Sequence, residues 1–236
     1  MIHIAALNDD SGNESESEPV IETATKEAQE AEAYALYNKA LELQRANLHE
    51  EAELHYKKLL NTSLLKKAVA HEDSNPEQIL HQPGFMLKYS TYKNLASLAS
   101  QKTDKKTAME FYLEAINIDS TDVSLWYKIG NLALELVHIP LARIAFEQAY
   151  QCNPKHWPSL DSLCTVLYAL CDYPGCLYYI AKCFELDSCY PKGHVLRKKI
   201  FSEQPSLERD TFVLFQQWNE EHYNDDSCQD HSQKVF

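Results

Sequence analysis

The sequence predicts an all-α fold, an α-solenoid of stacked helical hairpins with a C-terminal capping helix. Two observations predict it. The 236 residues hold only five glycines amid many Ala, Leu, Glu and Lys, a balance that favours helix over sheet. A run of side-chain sizes also returns every 34 residues.

The period is clearest in "WYKIGNLALELVHIPLARIAFEQAYQCNP" (126–154). Trp126, Ile129 and Gly130 are followed by Ala142, Phe146, Ala149 and Pro154. One period upstream stand Tyr92, Leu95, Ala96, Ala108, Tyr112 and Ala115. One period downstream stand Leu160, Leu163, Cys164, Cys176, Ile180 and Cys183. Large, large, small, then small, large, small at this spacing is the tetratricopeptide (TPR) pattern, two antiparallel helices A and B per repeat. The physics of the slots explains the residues. Gly130 and Ala142 belong where A and B cross, because a bulky side chain would force the helices apart. Phe146 and Trp126 fill space between neighbouring helices. Pro154 stops helix B, since its ring cannot continue one.

From the N-terminus, residues 1–24 read as an acidic disordered leader, and the solenoid follows over 25–205. A weaker first repeat spans about 33–66, with Leu36, Ala40, Leu43, Ala52, Tyr56 and Leu59 in the slots. Lys39 replaces its expected aliphatic, which suits a terminal repeat. The spacing from Ala52 to Ala108 exceeds one period, so an inserted loop is expected over about 61–87. In it, "NTSLLKKAVA" extends helix B and "HEDSNPEQILHQPG" is irregular, with Pro76, Pro83 and Gly84 as breakers. Repeats at about 89–122, 123–156 and 157–190 come next. Arg197 and Lys198 then fall where Ile129 and Gly130 stand, which marks 191–203 as the cap. Residues 206–236 are expected to form one amphipathic helix, with Leu207, Phe212 and Phe215 apolar, and an acidic tail.

Charge and motifs exclude several functions. The net charge is −13, yet residues 33–202 carry +1, residues 9–32 carry −8 and residues 203–236 carry −6. No basic stripe is available for direct nucleic-acid binding. No run is long and apolar enough for a membrane helix, and "MIHIAALN" does not read as a signal peptide. An odd count of seven cysteines, with no C-x-x-C pair, implies reduced thiols inside a cell. Phosphate-loop, dinucleotide, zinc-protease and nucleophile-elbow motifs are absent, so neither an enzyme nor a cofactor or metal is expected. Cys164, Cys176 and Cys183 occupy small-residue slots, and packing accounts for them.

A helical solenoid offers a face lined by its A helices to a peptide or a helix. The candidates on that face are Tyr37, Asn38, Lys93, Asn94, Tyr127, Lys128 and Asn131. Asn38 and Asn94 stand where TPR co-chaperones hold a terminal carboxylate. Those adaptors also need bases one turn earlier, where this chain has Tyr34, Ser90 and Ser124. That clamp is incomplete. In the leader, Ser11 and Ser15 each precede a Glu by three residues, and "PVIETA" shares Pro19 and Ile21 with calcineurin-docking peptides.

Several longer stretches carry a more specific likeness: "KEAQEAEAYALYNKALELQ" (26–44), "LKYSTYKNLA" (87–96), "DSTDVSLWYKIGNLAL" (119–134) and "IPLARIAFEQAYQCNPKHWPSLDSL" (139–163). With "MIHIAALN" and "AMEFYLEAI" (108–116), they resemble the N-terminal TPR region of the calcineurin-binding protein cabin family, and the likeness fades after Pro205. The resemblance implies a nuclear, non-enzymatic scaffold in the HIRA histone chaperone complex, which acts in replication-independent nucleosome assembly and transcriptional regulation. It implies HIRA-complex subunits as partners, and calcineurin inhibition as an alternative. The family's calcineurin-binding part lies far beyond the region matched by this chain.

Overall fold

The computed structural model describes residues 25–69 and 76–221, and every regular element among them is a helix. The leader, with Ser11, Ser15, Pro19 and Ile21, lies outside the described residues, as do 70–75 and 222–236. The first hairpin pairs α1 (Lys26–Arg45) with α2 (His49–Leu60), and two short helices follow, α3 (Ser63–Lys67) and α4 (Pro76–Leu80). Three regular hairpins come next: α5 (Pro83–Gln101) with α6 (Lys105–Ile116), α7 (Val123–Glu135) with α8 (Ile139–Cys152), and α9 (Trp157–Ala169) with α10 (Tyr173–Leu186). The described chain ends with α11 (Pro191–Glu203), α12 (Ser206–Asp210) and α13 (Phe212–Glu221). From α5 to α11 each helix packs on its predecessor and its successor. The result is an all-α TPR solenoid.

A core runs through the stack from α5 to α13, with smaller clusters under the first hairpin and α3–α5. Ala96, Ala108, Ala115, Ile129, Ala142, Phe146, Ala149, Leu163, Cys164, Ile180 and Cys183 are all fully inaccessible, Leu95 nearly so, and Tyr112 is buried. Tyr92 and Trp126 are half-buried against the core. Tyr92 stacks on Phe111, and the Trp126 indole donates to the Ser120 carbonyl at 2.8 Å. The small slot at Gly130 has a measurable cause. A Cβ there would lie 2.4 Å from the Phe146 ring, well inside contact distance. Pro154 works as expected, because α8 stops at Cys152 and Asn153 turns extended before the proline.

The A-to-B turns repeat a conformation that the sequence hides. Asn47, Thr103, Val137 and Cys171 all adopt φ near +60°, each just past the end of an A helix. In each turn the following N–H reaches back to a carbonyl of the last helical turn: Leu48 to Leu43, Asp104 to Ala99, His138 to Ala133 and Asp172 to Leu167, at 2.8–3.0 Å. This is the Schellman closure, usually made with glycine. Thr103 and Val137 are the most strained of the four, both being β-branched in the left-handed region. Val137→Gly is expected to raise stability by about 1 kcal/mol, seen as a melting point higher by a few degrees. Val137 is 78% exposed, so the change sacrifices little packing.

The structure corrects two expectations. The described residues within 61–87 form helices α3, α4 and the start of α5 rather than a loop with an extended helix B. Helix α2 stops at Leu60, where Asn61 Nδ2 and Thr62 Oγ1 bond back to the carbonyls of Lys57 and Leu59, and α3 restarts separately. Pro76 and Pro83 begin helices rather than break them, because a first-turn position needs no N–H partner. Gly84 lies inside α5, close to the Leu64 carbonyl. The C-terminal segment is not one helix. Thr211 Oγ1 bonds to the Leu207 carbonyl at the junction of α12 and α13. Phe215 inserts against Phe184 and Phe201, while Phe212 is 54% exposed. Five of the described cysteines, Cys152, Cys164, Cys171, Cys176 and Cys183, are free thiols.

Candidate functional site

The seven face residues fall into separate environments. Tyr37 and Asn94 belong to a network that ties the first hairpin to α5. Asn94 Nδ2 donates to the Tyr56 hydroxyl at 3.0 Å and to the Tyr37 hydroxyl at 3.3 Å. Tyr56 donates in turn to Gln44 Oε1 at 2.8 Å, and burial holds its phenol above the usual range. The Asn94 amide therefore serves the fold, whereas Asn38 is exposed on α1.

Lys93 is also engaged. Its ammonium lies 2.7 Å from Asp122 Oδ2 and 3.0 Å from the Tyr89 hydroxyl. Tyr89 donates to the same carboxylate oxygen. Asp122 is the N-cap of α7, with its other oxygen accepting from the Leu125 N–H at 3.1 Å and the Ser124 hydroxyl at 2.7 Å. Burial opposes ionisation of this carboxyl, but the Lys93 ammonium and the other donors hold it well below the usual range. Burial, aided by the Asp122 contact, pushes the Tyr89 phenol up. Sequence reading missed this hub. The signal was available, since "STDVSLW" places an acid at a helix start.

Tyr127 packs edge-on to the His156 ring at 5.4 Å and tilts over Phe146 at 5.9 Å. Lys128 and Asn131 are brought together. They border an open cleft of about 370 Å³ with Ser100, Thr103, Lys105 and Tyr112. Glu135 crosses the cleft to Lys105 at 3.0 Å. Lys128 is exposed, with its ammonium 5.9 Å from the Tyr112 ring centroid. Lys93 and Lys128 thus have different surroundings, and Lys128 is the one that faces solvent. Arg143, on the B helix α8, is engaged as well. It bridges Glu147 at 2.9 Å and Asp172, the N-cap of α10, at 3.0 Å.

The thiols in the small slots are packed. Cys164 and Cys183 sulfurs lie 3.9 Å apart, and Cys176 donates to the Cys164 carbonyl at 3.3 Å. Burial pushes the Cys176 thiol up to about 12, so it stays neutral and unreactive. Cys171 sits apart from them, exposed in its turn. Among the described residues no cluster of three His, Cys, Asp or Glu side chains could hold a metal ion. Cys164→Ala and Cys183→Ala are each expected to cost about 1 kcal/mol or less by thermal melting, because Ala96 and Ala115 fill the equivalent slots.

Comparison with known proteins gives a consistent picture. A family model described as the CABIN1 N-terminal domain matches residues 30–205. A protein of Arabidopsis thaliana named calcineurin-binding protein 1 is 29% identical over 179 residues, a match that takes in 75% of this chain. The chain spans only 9% of that relative's length. Among solved structures, YrrB, described as a TPR protein with an unusual peptide-binding site, superposes with a TM-score of 0.54 at 15% identity. The superposition covers 81% of this chain and 87% of YrrB. A TPR protein from Parabacteroides merdae gives 0.53 at 18% identity, over 79% of this chain and 67% of that one. At such identities the likeness shows the fold.

Proposed function

The chain belongs to the CABIN1 N-terminal domain family, and from that premise we propose that it is a non-enzymatic protein–protein interaction scaffold. Its place is in the nucleus, in a histone chaperone complex that assembles nucleosomes independently of replication and takes part in transcriptional regulation. HIRA-complex subunits are the partners. The observation that carries the docking role is the A-helix face. There Lys128 and Asn131 border an open cleft while the neighbouring Asn94 and Lys93 are committed to the fold. Free polar groups over a rigid helical layer suit an extended segment or a helix of a partner.

A second reading is calcineurin binding with inhibition of its signalling. The name of the Arabidopsis relative favours it, and so does the Pro19 and Ile21 pair. Purified calcineurin and purified HIRA-complex subunits separate the two readings. The scaffold reading expects the chain to bind HIRA-complex subunits, with calcineurin binding weak or absent. Calcineurin binding that is abolished by Pro19→Ala with Ile21→Ala, alongside no HIRA-subunit binding, overturns it.

A further inference from the structure

An open cleft of about 410 Å³ lies between α1, α3 and the start of α5. Its apolar lining includes Leu64, Ala68, Pro83 and Phe85, and its polar rim carries Lys26, Lys67 and His81. Glu30 is the one carboxylate lining the cleft among the described residues, and it reaches Lys26 only at 3.9 Å. A further ammonium stands behind the apolar wall, where Lys88 donates to the Ala68 carbonyl at 2.7 Å. Burial lowers the pKa of Lys88, the mark of a cation partly stripped of water. The cleft therefore has apolar walls, with two ammonium groups against one carboxylate at its edge.

The chain carries a segment of matching chemistry that precedes Lys26 of the cleft in sequence. Residues 9–22 hold six acids and no base. Val20 and Ile21 are their only branched aliphatic residues, and Glu18 and Glu22 bracket the run Pro19–Val20–Ile21. Lys26, on the rim, opens α1, so four residues separate Ile21 from it, and the five Cα steps span up to roughly 17 Å. A tether that short makes docking within one chain effectively a millimolar encounter. We propose that the acidic leader docks into this cleft, with Val20 and Ile21 against Leu64 and Phe85 and with Glu18 and Glu22 toward Lys67 and His81. Docked there, the Pro19 and Ile21 pair is covered, and an external protein that reads it competes with the solenoid.

Hydrogen exchange of the full chain, followed by mass spectrometry, tests this. Amides 18–23 are expected to exchange at least tenfold more slowly than in a synthetic peptide of residues 9–24. Val20→Asp with Ile21→Asp, which leaves the described fold untouched, is expected to abolish that protection and speed exchange at 64–68, with an unchanged melting point. Lys67→Glu with His81→Glu is expected to release the leader as well. Leader amides that exchange at the free-peptide rate in the unaltered chain overturn the proposal. So does protection that rises with protein concentration, which assigns the leader to a second copy, and so does protection that survives the Asp pair.

Discussion

Gly130→Leu is expected to lower stability by about 3 kcal/mol, a drop in melting point of roughly 6–12 °C. Even a methyl group at this position would sit 2.4 Å from the Phe146 ring. The ring has no room to retreat. It is fully buried, with Tyr127 on one side and the crossing of α7 and α8 around it. Gly130→Ala sharpens the test. On an exposed helix, alanine would add about 1 kcal/mol of stability. Here a net loss is expected, because separating α7 from α8 outweighs the gain in propensity. An unchanged or raised melting point for Gly130→Ala shows that the two helices do not approach at this residue.

Asp122→Ala is expected to cost about 2–3 kcal/mol. It removes the N-cap of α7, commonly worth about 1 kcal/mol, and strands the half-buried Lys93 ammonium and Tyr89 hydroxyl. The sign of the pH dependence follows from the direction of the shift. The folded state holds the Asp122 carboxyl below its usual range, so the unfolded chain binds more protons on acidification. This contribution is present in full above the ordinary carboxyl pKa of about 4 and fades as pH falls below it. Asp122→Asn should therefore show a shallower loss of stability between about pH 5 and pH 2, measured by denaturant melts. The tyrosines act at the other extreme. Tyr56 and Tyr89 have phenols held above their usual range, so their contribution disappears as pH rises past about 10.

The repeats were legible in the sequence because slot size is a local demand. Gly130, Ala142 and Ala149 must be small wherever two helices cross, and Phe146 must be large enough to fill the remaining space. The region between the first two repeats was less legible. Pro83 is equally at home in a loop and in the first turn of a helix, and only the packing of α3 and α4 on α5 decides. The turns hid their strain for a similar reason. Thr103, Val137 and Cys171 carry none of the glycine that usually marks a left-handed residue. The candidate face was half legible. Periodicity put Lys93 and Lys128 on the same layer, one position apart in register, but it is blind to side chains reaching across repeats. The Asp122 carboxylate takes Lys93, the Tyr37 and Tyr56 hydroxyls take Asn94, and Lys128 is left facing solvent.

The proposed capture of HIRA-complex subunits on the A-helix face around Lys128 and Asn131 is open to a direct test. Quantitative mass spectrometry of pull-downs from nuclear extract, comparing the full chain with a Lys128→Glu, Asn131→Ala variant, tests it most directly. Both positions lie at the edge of an open cleft, so the variant should melt within about 0.5 kcal/mol of the unaltered protein. The account predicts that HIRA-complex subunits are recovered with the unaltered chain and reduced at least tenfold with the variant. Equal recovery by the two proteins, or no HIRA-complex subunit with either, contradicts it.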